Sequence, residues 1–370
     1  MKQKIRLIDL CSGRPRYGLN EAAVDDIRLP KYIRITDIDD NGTYIYNGAH
    51  VRCDNDEYIL KQDDIVFART GASVGKSYLY NEADGKLAFA GFLIKFSIDP
   101  NKANSRFISY CCNTKEYWDW VSINCARSGQ PGINAEEYSV LSLPYFSFVK
   151  KEQQKIAKIL TKWDDAIELQ KQLIENLELQ KKSLIQHVFQ KNTDKFMFWG
   201  DICTIAKGTQ INNDQLLENG KYYMLNGGIV PSGFLNKWNT PADTISISEG
   251  GESCGFVQFN KQKFWSGGHL YTLQKIKDGI YNKYLYAYLK HNEKKIMALR
   301  VGSGLPNIQL ASLNKFRINI VNYKKQEYIG NLFFDMEEQI SLHSQKLDLL
   351  TCQRKALMQR LLTGAIRVKV

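Results

Sequence analysis

Apolar residues recur at alternating steps of four and three along two stretches of the chain, 150–190 and 324–363. In the first they fall at Ile156, Leu160, Trp163, Ile167, Ile174, Leu177, Leu184 and Val188; in the second at Ile329, Phe333, Met336, Ile340, Leu347, Leu350, Leu357 and Leu361. That spacing is the seam of a coiled-coil helix. Each member of the second set stands 173 positions after its counterpart in the first. The polar interruptions repeat as well, with Gln170 answered by His343 and Lys181 by Arg354. Polar groups on a seam fix register at some cost in stability. Unrelated amphipathic helices have no reason to share their defects, so the pattern predicts one helix made twice.

Between these helices the periodicity shortens. Strand-type residues with partial alternation occupy 5–10 and 32–38, and a further strand is expected over 64–69, ending at the glycine turn Gly71-Ala-Ser-Val-Gly75. Another apolar strand is expected over 87–96. A helix with aromatic weight (Phe107, Tyr110, Tyr117, Trp118, Trp120) follows over 105–121, then the small-residue loop Ser128-Gly-Gln-Pro-Gly-Ile-Asn134 and a short strand over 140–148. From Asn192 the order begins again: Asp201-Ile-Cys answers Asp9-Leu-Cys, and 222–225 answers 32–35. Gly251-Glu-Ser-Cys-Gly255 answers the first glycine turn, Gly268-His-Leu answers Gly91-Phe-Leu, and Ser303-Gly-Leu-Pro-Asn-Ile-Gln309 answers the first Ser-Gly-x-Pro-x-Ile loop. The expected fold class is therefore α+β, with an internal repeat. Two mixed domains at 1–149 and 192–323 are each followed by a long helix, at 150–191 and 324–363, and a short tail closes the chain at 364–370.

Composition narrows the partners. At 370 residues, 44% apolar and 24% charged, the chain is long enough for two cores. A formal net charge of +11 and a pI near 9.1 point to an acidic polymer, with nucleic acid first among candidates. The opening Met1-Lys-Gln-Lys-Ile-Arg-Leu lacks a signal-peptide core, and no later run approaches the ~20 apolar residues of a membrane span, so a cytoplasmic protein without a membrane partner is expected. Eight cysteines form no Cys-x-x-Cys pair and read as reduced core residues.

Thr70-Gly-Ala-Ser-Val-Gly-Lys-Ser77 resembles a phosphate loop, but that motif needs glycine where Thr70 stands, and the second copy has Phe256 and Val257 in place of Lys76 and Ser77. Both copies keep a tight Gly-x-x-x-Gly turn at a strand end. It is flanked by Arg69, Thr70, Ser73 and Lys76 in one copy and by Ser248, Glu249 and Ser253 in the other, where arginine to guanine or glutamate to cytosine would be natural pairings in a DNA groove. The plain alternative is a turn with solvated charges. The Ser-Gly-x-Pro-x-Ile loops suit a close chain crossing, while Arg127 and Arg300 just before them, and Arg14 and Arg16 in a basic loop, are candidate DNA contacts. Arg34 and Asn226, within and just after the matched segments at 32–35 and 222–225, complete the set. Lysines 150, 151, 155, 158 and 162 form either a solvated helix face or a DNA-backbone or subunit contact. The sequence carries no His-Glu-x-x-His pair, no Gly-x-Ser-x-Gly elbow, and no adenine-flipping Asn/Asp-Pro-Pro-aromatic segment. No catalytic or metal-binding residue is expected.

Two divergent halves on matching helices, with Asp-Ile-Val-Phe-Ala-Arg-Thr-Gly-Ala-Ser-Val-Gly-Lys at 64–76, the paired loops at 128–134 and 303–309, and Lys-Lys-Ser-Leu-Ile-Gln-His-Val-Phe at 181–189 beside Arg-Lys-Ala-Leu-Met-Gln-Arg-Leu-Leu at 354–362, strongly resemble the specificity subunit of Type I restriction-modification systems. The resemblance spans the chain. It implies two target-recognition domains, each reading one half of a split, asymmetric site on double-stranded DNA, and two long helices pairing antiparallel as a spacer. It implies docking of two methyltransferase subunits, which would carry S-adenosylmethionine, and cleavage by added motor-nuclease subunits; this chain itself would hold no cofactor. A helix of about 38 residues spans ~57 Å, comparable with the ~34 Å of one duplex turn once two readers are attached. Three rival readings follow from the same residues: the specificity chain of a system whose partner fuses methylation and cleavage, a stand-alone methyltransferase or nuclease, and a coiled-coil scaffold indifferent to DNA.

Overall fold

The computed structural model describes residues 4–126, 131–144, 150–190, 195–302, 304 and 306–369. Its contacts divide the chain into two compact units, Met1–Gln170 with Lys346–Val370, and Lys171–Gln345. The division passes through both long helices, Lys150–Gln190 and Tyr323–Leu362, so each unit holds one globular part and a portion of each helix.

In the first unit an antiparallel sheet runs in the order Arg16–Tyr17, Leu93–Ser97, Asp64–Ala68, Ser77–Leu79. All five residues of Asp64–Ala68 are buried, which is why that segment shows no alternation: both faces are covered. Beside it Lys31–Ile33 pairs parallel with Leu87–Phe89, and Lys4–Arg6 pairs antiparallel with Ser142–Pro144. Phe67, Phe96 and Tyr138 pack ring against ring, Phe67 lying 5.5 Å and 4.9 Å from the other two.

The second unit repeats this order. Thr204–Lys207, Leu270–Gln274, Thr244–Ser248 and Val257–Asn260 form the four-stranded sheet; Tyr222–Leu225 pairs parallel with Trp265–Ser266; Phe196–Phe198 pairs antiparallel with Arg317–Asn319. Gly233–Leu235 pairs antiparallel beside Tyr222–Leu225, where the first unit has only an isolated antiparallel bridge between Lys31 and His50.

Several expected elements divide. The run 87–96 is two strands in different sheets, Leu87–Phe89 and Leu93–Ser97. They separate at Gly91, where a Cβ would come within 1.9 Å of the Asn20 amide oxygen. The helix expected over 105–121 breaks into Ser105–Cys111 and Lys115–Asn124, because the Thr114 hydroxyl caps the second by accepting from Tyr117 N. Residues 5–10 pass from strand to a 3₁₀ turn at Leu7–Leu10, and only Ser142–Pro144 of the strand expected over 140–148 is strand, with 145–148 outside the described residues.

The long helices meet in both units. In the first, Ile156, Ala157 and Leu160 share a core with Met358, Leu361 and Leu362. In the second, Ile185 shares one with Phe333 and Phe334. The start of one helix thus meets the end of the other, an antiparallel pairing. All sixteen seam residues are buried or half-buried, whereas Leu169, Leu179, Leu342 and Leu349 off the seam are exposed. One pair of polar interruptions, Lys181 and Arg354, explains its own repetition. Arg354 donates to Asp164 at 2.9 Å in the first unit, and Lys181 lies 3.4 Å from Glu337 in the second. Asp164 and Lys181 are separated by 17 positions, as are Glu337 and Arg354, so both pairs obey one register. Each acid also binds its own globular part: Tyr110 donates to Asp164 at 2.6 Å, and Tyr286 to Glu337 at 3.1 Å. Gln153 accepts from Asn104 N, and Gln326, its counterpart, accepts from Tyr281 N.

Five of the eight free cysteines are buried. Burial pushes the thiols of Cys11, Cys112 and Cys203 up to about 12. The expectation of core cysteines fails at Cys352, which lies off the seam on the solvent face of its helix, and holds only in part for Cys53 and Cys125. No described helix is long and apolar enough to cross a membrane.

Candidate nucleic-acid interface

Each glycine turn is clasped by the Ser-Gly-x-Pro-x-Ile loop of its own unit. In the first, Gly71 N donates to the Pro131 carbonyl at 3.2 Å and Ile133 N to the Arg69 carbonyl at 2.9 Å. In the second, Gly251 N donates to Pro306 O at 3.0 Å and Ile308 N to Glu249 O at 2.9 Å. The loops are therefore structural crossings that brace the turns. Glycine is required at both turns: Gly75 and Gly255 adopt φ of +89° and +90°, and a Cβ would meet the Val121 side chain at 2.7 Å or the Met297 backbone at 2.8 Å.

The residue leading into each turn holds a different set of neighbours. The Arg69 guanidinium carbon lies 5.0 Å from the centre of the Tyr17 ring and 5.6 Å from that of Phe92, both rings being exposed. Two π faces fix the orientation of a planar cation. In the second unit Glu249 is only 4% exposed. Its carboxylate takes the Lys207 ammonium at 2.6 Å and the Tyr271 hydroxyl at 3.0 Å, with His269 Nδ1 3.7 Å from the other oxygen. That oxygen, Oε2, accepts no hydrogen bond among the described residues. Burial, and then the bond to Glu249, push Tyr271 up to about 12, so it stays a donor at neutral pH. Lys207 and His269 themselves remain more than half exposed.

The other expected contacts fall into three groups. Arg14 and Arg300 are exposed, with no side-chain partner among the described residues, and Arg127 lies outside the described residues. Arg16 and Arg34 are taken: Arg16 forms a two-point pair with Glu57, and Arg34 donates to buried Asp37 at 3.0 Å, which raises the arginine above its ordinary value. Lys76 is likewise held, by Asp40 at 2.8 Å and the Ile38 carbonyl. Thr70 and Ser73 are half-buried in the first turn. Asn226 accepts from His269 N at 3.2 Å, and Ser253 donates to Gly227 O at 2.5 Å. Ser248 and Glu249 require correction. Ser248 is buried and its hydroxyl bonds Gly227 O, and the Glu249 carboxylate lies beneath Lys207 and His269, so neither presents itself to a base. Tyr17, Phe92, Lys207 and His269 were not among the expected contacts. The matching of Gly91-Phe-Leu with Gly268-His-Leu held the signal for two of them.

The family model for the Type I restriction modification DNA specificity domain matches the chain twice, at residues 19–179 and 193–351. A type I specificity subunit of Mycoplasma genitalium is 23% identical over 279 residues, which cover 71% of this chain and 72% of that one. One from Mycoplasma pneumoniae is 37% identical over 123 residues, covering 33% of this chain and 32% of the other. The crystal structure of the S subunit of a Type I restriction-modification system from M. genitalium superposes with a TM-score of 0.73 at 20% identity, over 97% of this chain and 95% of that one; at that identity the likeness concerns the fold. With a match in each half, each carrying its own sheet, clasped turn and long-helix segment, the chain belongs to the family of Type I restriction-modification specificity subunits, with two target-recognition domains.

Proposed function

We propose that the chain is the non-catalytic DNA reader of a cytoplasmic restriction-modification complex. Each globular part reads one half of a bipartite, asymmetric site, and the paired helices dock two methyltransferase subunits, which bind S-adenosylmethionine and flip the base to be modified. Motor-nuclease subunits would add cleavage. The observation that supports this reading is the repetition of one scaffold with different exposed side chains at its two clasped turns: a duplicated frame with divergent surfaces suits two different half-sites. The net charge of +11 suits a phosphate backbone.

The test is to assemble the full chain with its methyltransferase partner and map methylated adenines. One bipartite motif is expected, with binding that weakens steeply as salt rises. Replacing residues 1–149 by the first domain of another family member should change one half-site only. Methyl transfer by the purified chain alone, or DNA binding without sequence preference, would overturn the proposal.

A further inference from the structure

The side chains around the two clasped turns occupy the same places in the fold. Arg69 and Glu249 each follow the buried central strand, and each has the same three backbone bonds nearby. Arg69 N donates to Phe92 O at 3.0 Å, and Glu249 N to His269 O at 2.9 Å; the Arg69 and Glu249 carbonyls accept from the isoleucine of the clasping loop. Phe92 and His269 each stand two residues before the edge-paired position of the next strand, Ile94 or Tyr271. Across the sheet Ile94 pairs with Tyr17, and Tyr271 pairs with Lys207. Register alone thus equates Tyr17 with Lys207, Arg69 with Glu249, and Phe92 with His269. The chemistry differs: a cation between two exposed rings in one unit, a buried carboxylate beneath an exposed ammonium and an exposed imidazole in the other.

Resting on the DNA-reader reading, we propose that Tyr17, Arg69 and Phe92 in one unit, and Lys207, Glu249 and His269 in the other, are a single base-reading device built twice, which sets the base pair each half prefers at one position. A guanidinium held between rings offers a rigid fork of donors that fits O6 and N7 of guanine, and an exposed ring suits the thymine methyl. In the second unit Glu249 is a positioning residue. It holds one N–H of Lys207, leaving the ammonium two further donors, and keeps His269 close by, so the donors reach the groove from the two flanks where the other unit places rings. A carboxylate so thoroughly buried at the surface layer of a sheet, with one oxygen lacking a hydrogen bond among the described residues, is otherwise an expensive choice for a turn. Positioning the Lys207 ammonium and the His269 ring accounts for it.

The experiment uses the full chain assembled with its methyltransferase partner, S-adenosylmethionine and a randomised duplex library, with the methylated motif read by sequencing. His269→Gln changes an exposed side chain and should leave the fold intact; Lys207→Met removes the counter-charge of buried Glu249, so its helical circular dichroism is checked first, and His269→Gln decides if it is lost. Each is expected to lower discrimination at one base pair of one half-site by about tenfold or more, with the other half-site and the spacing unchanged. The transplant K207Y/E249R/H269F should move preference at that base pair toward the one read by the first unit. An unchanged motif in both single variants overturns the proposal, as does an equal loss on all sequences, which marks a phosphate contact. If the transplant loses helical circular dichroism, the single variants decide. A wild-type complex with no bipartite motif removes the reader assignment itself, a result distinct from a motif that ignores these substitutions.

Discussion

Asp164 is the point at which the first unit ties both long helices to its globular part, and its removal yields a graded prediction. One carboxylate oxygen accepts from Tyr110 at 2.6 Å and the other from Arg354 at 2.9 Å. The Arg354 side chain is 16% exposed and that of Asp164 39%, while Tyr110 is buried and its phenol pushed above its ordinary value, by burial first and then by Asp164. A hydrogen bond to a charged group contributes about 1.5–3 kcal/mol; partial exposure brings the coupling of Arg354 to Asp164 down to ~1 kcal/mol. Asp164→Ala leaves Arg354 Nε without its acceptor and Tyr110 with only the Thr161 hydroxyl, 3.1 Å away, so a total loss of roughly 2 kcal/mol is expected. The counterpart in the second unit is looser: Lys181 and Glu337 are 3.4 Å apart and 27% exposed each, and Tyr286 is 3.1 Å from the acid. Its coupling should be ~0.5 kcal/mol and mostly screened at high salt. Double-mutant cycles read by amide hydrogen exchange in the helix segments around 164 and 354, and around 181 and 337, measure each locally. Additive effects of Asp164→Ala and Arg354→Ala, or a stronger coupling in the second unit, would refute the reasoning.

Three more expectations follow from particular contacts. Gly255→Ala should destabilise the second unit by more than Gly75→Ala does the first, because its Cβ meets the Met297 backbone where that of Gly75 meets a Val121 methyl able to shift; urea unfolding of the two variants compares them. Glu152, buried beneath Arg367 and Val368 N, is held below the ordinary glutamate value by Arg367. Its stabilisation is therefore complete above roughly pH 4.3 and lost as pH falls through the depressed folded value, so protease sensitivity of residues 363–369 should rise on acidification, and Glu152→Gln should abolish that rise. On the proposed reading, removing seven residues between Asp164 and Lys181 and seven between Glu337 and Arg354 keeps both ion pairs in register and shortens each helix by ~10 Å; methylation mapping should then show the tolerated spacing reduced by about three base pairs with both half-sites unchanged.

The long helices were legible because a helical seam is written in neighbouring residues: spacing names the buried face, and the repeated defects at Lys181 and Arg354 marked partners before those partners were seen. The sheets were less so. An apolar run such as 87–96 carries no mark of the break at Gly91, which exists because the Leu19 carbonyl and the Asn20 side chain press against it from far away in sequence. Charge was the least reliable guide to the surface. Arg16, Arg34 and Lys76 looked like free cations, yet each is held by an acid, Glu57 among them 41 positions away, that periodicity does not connect to it.

The surface proposed to carry specificity is where local reading stops for a physical reason. Tyr17 and Arg69 are 52 positions apart, and Lys207 and Glu249 are 42 apart; they become neighbours only through antiparallel registers that no short motif encodes. Even the sign of the charge misled, since Glu249 looked like a group offered to cytosine and is instead buried, with the Lys207 ammonium on its carboxylate. A duplicated frame explains how both can be true of one fold. The bonds that the two clasps share run between backbone groups, so they do not depend on which side chains stand above them, although the Thr70 and Tyr271 hydroxyls add a bond each to Pro131 O and Ile308 O. What the halves share is therefore the part that holds, and what differs is, on the proposed reading, the part that reads.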